Sequence, residues 1–224
     1  MHTFWCIRRT LNFLQKRDPT VPFFLNISFI DPHPPLTPPA HYYQRYIQRD
    51  LPSPVVGDWA PEFEGAEKGL DPNAWEICLD DHDMQCARAA YYGMINFIDD
   101  QIGRLIQSMG GLADCLIVFT SDHGEMLGDH NLYRKTWPYE ASARVPFLIR
   151  APANGATQQN PSAKAPSVYK TSCPLFWTLP GLRFPVSALA EVYYPSCKGI
   201  PTGCGTICME STPVVTITVM VTTM

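Results

Sequence analysis

An α/β fold is predicted for this chain of 224 residues by two apolar runs of strand length and one amphipathic segment between them. The runs cover residues 22–30 and 115–120, and Pro, Gly or polar residues bound each of them. Short apolar runs with such boundaries are typical of buried strands. The length of the chain is enough for one domain with a sizeable core.

The first apolar run is followed at once by a proline-rich stretch, residues 31–39, which contains five prolines. Prolines at this density prevent a strand or helix from continuing and favour an extended loop. We therefore predict a loop that holds His33 beside the edge of the sheet. A single histidine in such a loop is often only structural, so the residue type by itself assigns no role.

The amphipathic segment runs from Met84 to Met109 and predicts a helix. Apolar residues spaced three and four apart form one face, which carries Ala90, Tyr91, Met94, Ile95, Phe97, Ile98, Ile102 and Ile106. Polar residues lie mostly opposite: Asp99, Asp100, Gln101 and Arg104. Gly110-Gly111 predicts the end of the helix. The acidic pair in the polar set is explained by an exposed charged face better than by metal binding.

The second apolar run delivers Asp122 and His123 to the carboxyl end of its strand, where ligands bind in open α/β sheets. A carboxylate and an imidazole followed by Lys135 suit a divalent metal beside an anionic substrate. In the intervening loop, we expect Glu125 and Asp129 to accept backbone hydrogen bonds. His130 has the alternatives of supporting the site from behind or lying at its rim.

The stretch from Thr120 to His130, continued through Lys135, resembles the sulfatase family of the alkaline-phosphatase-like superfamily. The resemblance extends over roughly residues 3–153. It implies a fragment of an alkaline-phosphatase-like sandwich with a mostly parallel sheet flanked by helices. It also implies a sulfuric ester hydrolase, which carries out the metal-assisted hydrolysis of sulfate esters of small molecules or glycans.

The resemblance implies roles for four residues. The acid at the strand end and the residue after it bind a divalent metal in the family, which assigns Asp122 and His123 as ligands. Lys135 is expected to bind the sulfate or phosphate oxygens, and His33 to contact the sulfuryl oxygens or the leaving oxygen. Calcium-dependent arylsulfatases usually carry Asn where this chain has His123, and imidazole suits Mn²⁺ better than Ca²⁺. Both metals stay open, and phosphonate monoester or phosphodiester hydrolysis is the alternative function.

The family's nucleophile is not found in this sequence. Sulfatases use a formylglycine made from the Cys of a Cys-x-(Pro/Ser/Ala)-x-Arg motif, and none of the 8 cysteines here has that context. The upstream Asp pair of the family's metal site is also missing. We therefore expect a truncated chain that begins partway into a sulfatase domain and is inactive on its own. A gene product without function is a further alternative.

From about residue 160, charged residues become rare and no helical or strand period persists. Back-translation of residues 170–181, 190–199 and 205–212, with each codon begun one nucleotide earlier, permits sulfatase-like sequence in all three segments. We therefore predict a partial catalytic domain at residues 1–155. Residues 156–224 are predicted to be a frameshifted, poorly ordered tail.

Composition excludes several other classes of function. The net charge of −4 and the pI of about 5.8 give no reason to expect nucleic-acid binding. No run reaches the roughly 18 apolar residues of a membrane span, and the first residues have no apolar stretch typical of a secretory signal. The sequence does not indicate a compartment.

Overall fold

The computed structural model describes residues 2–60, 79–135, 137–150 and 152, together with the backbone of residues 215–221. Helices and strands alternate over these residues, which confirms the predicted α/β class. In chain order they are α1 (His2–Lys16), β1 (Phe23–Phe29), α2 (Ala40–Ile47), α3 (Asp81–Ser108), β2 (Cys115–Ser121), a 3₁₀ turn (Asp129–Asn131), α4 (Glu140–Ala143), β3 (Phe147–Arg150) and β4 (Val215–Val221). None of the helices in this part of the chain is long and apolar enough to cross a membrane.

The four strands form one sheet in the order β1-β4-β2-β3. Each neighbouring pair is antiparallel, so the prediction of a mostly parallel sheet is wrong for the described strands. The reason is the position of β4, which lies between β1 and β2 and runs opposite to both. β1 and β2 therefore run in the same direction. Phe29 and Ser121 both pair with Val215, so the two strands end level at one edge of the sheet.

β4 also contradicts the predicted poorly ordered tail at residues 215–221. Six of its seven residues, Val215 to Val221, are β-branched, and such residues favour strands. The segment pairs with β1 on one side and β2 on the other, whose backbone groups would otherwise form unpaired edges. The rest of the predicted tail, residues 156–214 and 222–224, lies outside the described residues.

The core lies between the sheet and two helices. Phe29 and Ile27 of β1 are 0% and 4% exposed, and they pack with Ile7 of α1 and with Ile98 and Leu105 of α3. α1 was not among the predicted elements. It is attached at its first turn by the hydroxyl of the buried Thr3, which donates to the carboxylate of Asp31 just beyond β1.

The structure confirms the predicted helix at residues 84–109 and sets its bounds at Asp81–Ser108. It begins earlier than predicted because the Asp80 carboxylate accepts a hydrogen bond from the Asp83 amide at 2.8 Å. It ends before Gly110, whose φ of 68° lies in the left-handed region that glycine tolerates.

Two residues of this helix differ from the predicted faces. Ile95, placed on the apolar face, is 41% exposed, whereas Gln101, placed among the polar residues, is 5% exposed. Gln101 is buried without loss of hydrogen bonding because its Oε1 accepts from Arg104 Nη1 at 2.7 Å. Asp100 stays on the exposed face and accepts from the Tyr42 hydroxyl at 2.9 Å, which ties α3 to α2.

Candidate metal and anion site

The candidate site lies at the sheet edge where β1 and β2 end. His33 follows β1 in the proline-rich loop, where its amide donates to the Ile30 carbonyl at 2.9 Å. Its ring nitrogen Nδ1 lies 2.8 Å from the Pro34 carbonyl oxygen. The loop brings the His33 ring to His123, with 6.0 Å between the ring centroids and an interplanar angle of 70°. The structure thus brings together residues that are distant in the sequence.

The ring of His123 is held in one tautomer. Its Nδ1 lies 2.7 Å from the Gly124 carbonyl oxygen, which accepts only, so Nδ1 carries the proton. Nε2 is therefore the nitrogen with the free lone pair. It is buried, lies 3.8 Å from Asp122 Oδ1, and has no hydrogen-bond partner among the described residues. The same Asp122 oxygen accepts the His123 amide at 3.0 Å.

Burial determines the protonation of this pair. It raises the pKa of Asp122, an effect opposed by His123 and by the ammonium of Lys135. It lowers the pKa of His123 below the ordinary 6.5, and Lys135 and His33 lower it further. Because the unfolded chain takes up this imidazole proton first, the contribution of His123 to stability falls as the pH drops below 6.5. At neutral pH, His123 is a neutral imidazole, the form that binds metals.

The loop that carries this pair is attached to α4 by backbone hydrogen bonds. The Gly124 amide donates to the Ser142 carbonyl at 2.7 Å, and the Glu125 amide donates to the Ala141 carbonyl at 2.9 Å. The approach is so close that a Cβ on Gly124 would clash with the Ala141 carbonyl oxygen. Position 124 therefore requires glycine for space.

Glu125 accepts backbone hydrogen bonds in the next part of the loop, as predicted. Its Oε1 accepts the Leu127 amide at 3.3 Å and the Arg134 amide at 2.5 Å. The backbone of Met126 adds a bond of 3.0 Å to the Arg134 carbonyl. These contacts fold the loop back on itself, so that Lys135 returns to the neighbourhood of Asp122.

Asp129 and His130 attach the far end of the loop to the segment after α2. Asp129 Oδ1 accepts the Val55 amide at 3.1 Å, which confirms the predicted backbone contact, and lies 3.8 Å from the Arg88 guanidinium. His130 Nδ1 accepts the Gly57 amide at 3.1 Å. The residues of the α2–α3 connection that meet the loop carry no motif, so the sequence reasoning missed them.

The donor set at the edge is compatible with a divalent cation but is small. An unpaired buried imidazole nitrogen beside a carboxylate oxygen offers the two ligand types that Mn²⁺ accepts. Over the described ranges, no group of three or more His, Cys, Asp or Glu side chains is placed to hold a metal. The pair Asp122 and His123 would therefore be part of a larger ligand set.

A cavity of about 420 Å³ lies at the opposite edge of the sheet, where β1 and β2 begin. It is lined by Phe23 and Cys115, the first residues of the two strands, and contains none of the predicted site residues. We assign the site to the carboxyl edge because the titratable groups converge there, in agreement with the usual position of ligands in α/β folds.

This chain is similar in sequence to an arylsulfatase and to an alkaline phosphatase superfamily protein. An arylsulfatase of Clostridium perfringens is 46% identical over 155 residues, which are 68% of this chain and 32% of that protein. The multifunctional alkaline phosphatase superfamily protein PehA of Trinickia caryophylli is 35% identical over 160 residues, 63% of this chain and 31% of that protein. The chain thus spans about a third of the length of these relatives.

Among solved structures, a phosphonate monoester hydrolase of Agrobacterium radiobacter has a TM-score of 0.56 and 30% identity over 68% of this chain and 33% of its own. The family model described as Sulfatase matches residues 6–171, a range that includes His33, His123 and the Asp122–Lys135 loop. Members of that family generally use a divalent metal and a formylglycine. The match covers well over half of the sequence, and this chain therefore belongs to the sulfatase family.

Proposed function

We propose that this chain supplies the metal-binding and anion-binding edge of a sulfuric ester hydrolase, with small-molecule or glycan sulfate esters as substrates. The observation that carries the proposal is the His123 Nε2 atom, which is buried, unpaired among the described residues and 3.8 Å from Asp122 Oδ1. A buried acceptor without a partner is unfavourable unless a ligand satisfies it. Ca²⁺ and Mn²⁺ are the candidate metals, and the imidazole favours Mn²⁺.

Each of the four residues would have one task. Asp122 and His123 hold the metal, which when bound withdraws charge from the sulfuryl oxygens. The Lys135 ammonium, close enough to lower the pKa of His123, adds positive charge where the transferring group is anionic. His33 Nε2 is left to face the substrate, because its Nδ1 is occupied by the Pro34 carbonyl, and it would contact the sulfuryl or leaving oxygen.

Hydrolysis of phosphonate monoesters or phosphodiesters is the second candidate. It is favoured by the imidazole at position 123 and by the similarity to a phosphonate monoester hydrolase. The two candidates are separated by the turnover of an aryl sulfate and an aryl phosphodiester by a version that includes the nucleophile motif. Exclusive phosphodiesterase activity would exclude the sulfatase proposal.

DNA sequencing upstream of Met1 and through codons 150–224 determines whether such a version exists. We propose that an upstream open frame encodes Cys-x-Pro-x-Arg and that a single-base insertion or deletion lies near codon 160. Residues 156–224 are then a frameshifted segment and residues 1–155 a partial catalytic domain. An intact frame with nothing before Met1 would contradict this and place the function outside sulfate ester hydrolysis.

We expect this chain to bind Mn²⁺ and Ca²⁺ with dissociation constants weaker than about 1 μM, because two protein ligands bind a cation weakly. Isothermal titration measures this. His123→Ala should abolish the Mn²⁺ signal, whereas His82→Ala, at an exposed position on α3, should leave it unchanged. Binding should weaken as the pH falls through the pKa of His123, which burial holds below 6.5, because protons then compete for the imidazole nitrogen. Submicromolar affinity, or equal loss in both variants, would contradict the assignment.

A further inference from the structure

We propose that the exposed face of α1 binds an anionic lipid surface. This face carries Phe4, Trp5, Arg8, Arg9 and Lys16, which together are called the α1 patch. None of these residues is assigned to the candidate metal and anion site, so the inference is independent of the proposed function.

The α1 helix buries one side and exposes the other. Thr3, Ile7 and Thr10 are buried, and their spacing of three and four residues places them on one side of the helix. All five residues of the α1 patch are exposed, and their positions along the helix place them on the opposite side. Because a helix of 15 residues is about 22 Å long, the α1 patch forms a strip on the protein surface.

The charge of this helix is opposite in sign to that of the whole chain. Residues 1–17 contain four basic side chains and no acidic one, whereas the chain has a net charge of −4. Over the described residues, none of the basic groups of the α1 patch forms an ion pair with a carboxylate. Asp18, the first acid along the chain, accepts the amide and the hydroxyl of Thr20. The α1 patch therefore carries positive charge without a carboxylate partner in the described part of the chain.

Two large aromatic side chains lie among these charges. Phe4 and Trp5 are 47% and 53% exposed. The guanidinium carbon of Arg9 lies 5.8 Å from the Trp5 ring centroid, and that of Arg104 on α3 lies 5.8 Å from the Phe4 ring centroid. Cations at such distances are attracted to the faces of aromatic rings. Apolar and positive groups are therefore adjacent on the same surface.

The charges determine which kind of partner is able to cover this face. Transfer of a guanidinium or ammonium group from water to a protein interior is unfavourable unless an anion accompanies it. Exposed rings alone would pack against any apolar surface, but Arg8, Arg9 and Lys16 require water or anions. A partner that presents many anions beside an apolar region satisfies both kinds of side chain.

An anionic bilayer has this chemistry. Its headgroups attract Lys and Arg, and its interfacial region accepts the rings of Trp. Helices that lie on membrane surfaces combine basic residues with Trp, Phe or Leu. A sulfated polysaccharide offers the same negative charge but no hydrocarbon region for the two rings. The composition of the α1 patch thus favours a lipid surface over a soluble polyanion.

The test is co-sedimentation of this chain with vesicles of phosphatidylcholine, alone or mixed with an equal share of phosphatidylglycerol. We expect binding to the mixed vesicles that weakens as salt is added, and little binding to the neutral ones. Arg8→Gln/Arg9→Gln should weaken binding about ten- to thirtyfold, because each basic residue near an anionic bilayer contributes separately. Trp5→Ala should weaken it about two- to tenfold.

Two matched controls remove the same groups from other surfaces. Arg45→Gln/Arg49→Gln removes two exposed charges from α2 and the residues just after it. Trp59→Ala removes an indole from a residue that is 59% exposed. Both controls should bind the mixed vesicles as the parent does. Circular dichroism establishes that each variant is folded.

Three results would overturn the proposal. The first is equal affinity for neutral and mixed vesicles, or no affinity for either. The second is an equal loss of binding in the two arginine double variants, which would indicate an effect of net charge alone. The third is binding to heparin without binding to vesicles, since the partner of the α1 patch would then be a polyanion without an apolar region.

Discussion

Gly124→Ala is expected to destabilise the chain by about 3 kcal/mol or more and to detach the loop that carries Asp122 and His123 from α4. The added methyl group would meet the Ala141 carbonyl oxygen, which is backbone and cannot rotate away. Relief of the clash requires the loop to move, and the bonds from the Gly124 and Glu125 amides to α4 would then break. His123 would lose its orientation as well, since its Nδ1 is held by the Gly124 carbonyl.

Gly103→Ala is the matched control. A Cβ at this position in α3 meets no atom within 4 Å. Alanine is favoured over glycine inside a helix by about 0.5–1 kcal/mol, so this variant should be as stable as the parent or more stable. Urea unfolding followed by tryptophan fluorescence measures both variants. Similar midpoints for Gly124→Ala and the parent would show that the loop is not held as described.

Glu125→Ala is expected to cost about 3 kcal/mol, because it removes a charged acceptor from two backbone amides. Those amides, of Leu127 and Arg134, lie on opposite arms of the loop, so a single carboxylate oxygen joins the arms. Glu125 is also close enough to Tyr91 to add to the increase in pKa that burial causes in that phenol.

Two further variants separate this role from a general effect of charge. Glu125→Gln keeps an oxygen acceptor and should lose about 1 kcal/mol or less. Glu140→Ala removes a carboxylate that is 86% exposed and, over the described residues, pairs with Arg144 alone at 3.9 Å, so it should change stability little. Hydrogen exchange at the Arg134 amide gives a local measurement. Unchanged protection of that amide in Glu125→Ala would contradict the bridging role.

Local sequence patterns were sufficient to predict the strands and the helix that are marked by an apolar run or by amphipathic spacing. The strand prediction for residues 22–30 was met by β1 (Phe23–Phe29), and the amphipathic segment forms α3. Glu125 and Asp129 accept backbone hydrogen bonds as predicted, because short acidic side chains in loops have amides within reach. The Glu125 contacts lie within its own loop, whereas the partner of Asp129, the Val55 amide, is 74 residues away and could not be named from the sequence.

The sequence-based prediction of the sheet was wrong where a strand pairs with strands from distant parts of the chain. The Val/Thr segment of β4 belongs to the tail that the shifted reading frame predicts to be poorly ordered, and nothing beside it in the sequence indicates a partner. Its partners, β1 and β2, lie far away in sequence, and their pairing depends on unpaired backbone groups that exist only after the sheet begins to form. The assumption of parallel strands failed for the same reason.

The sequence by itself determined the family, the α/β class and the residue types at the candidate site, because each depends on contiguous segments such as Thr120 to His130. Only the tertiary structure decided which of them meet. It placed His33 against His123, freed Nε2 by binding Nδ1 to a carbonyl, and brought Trp59 to His130. Distances between side chains depend on how strands and loops pack, and packing is a property of the whole fold.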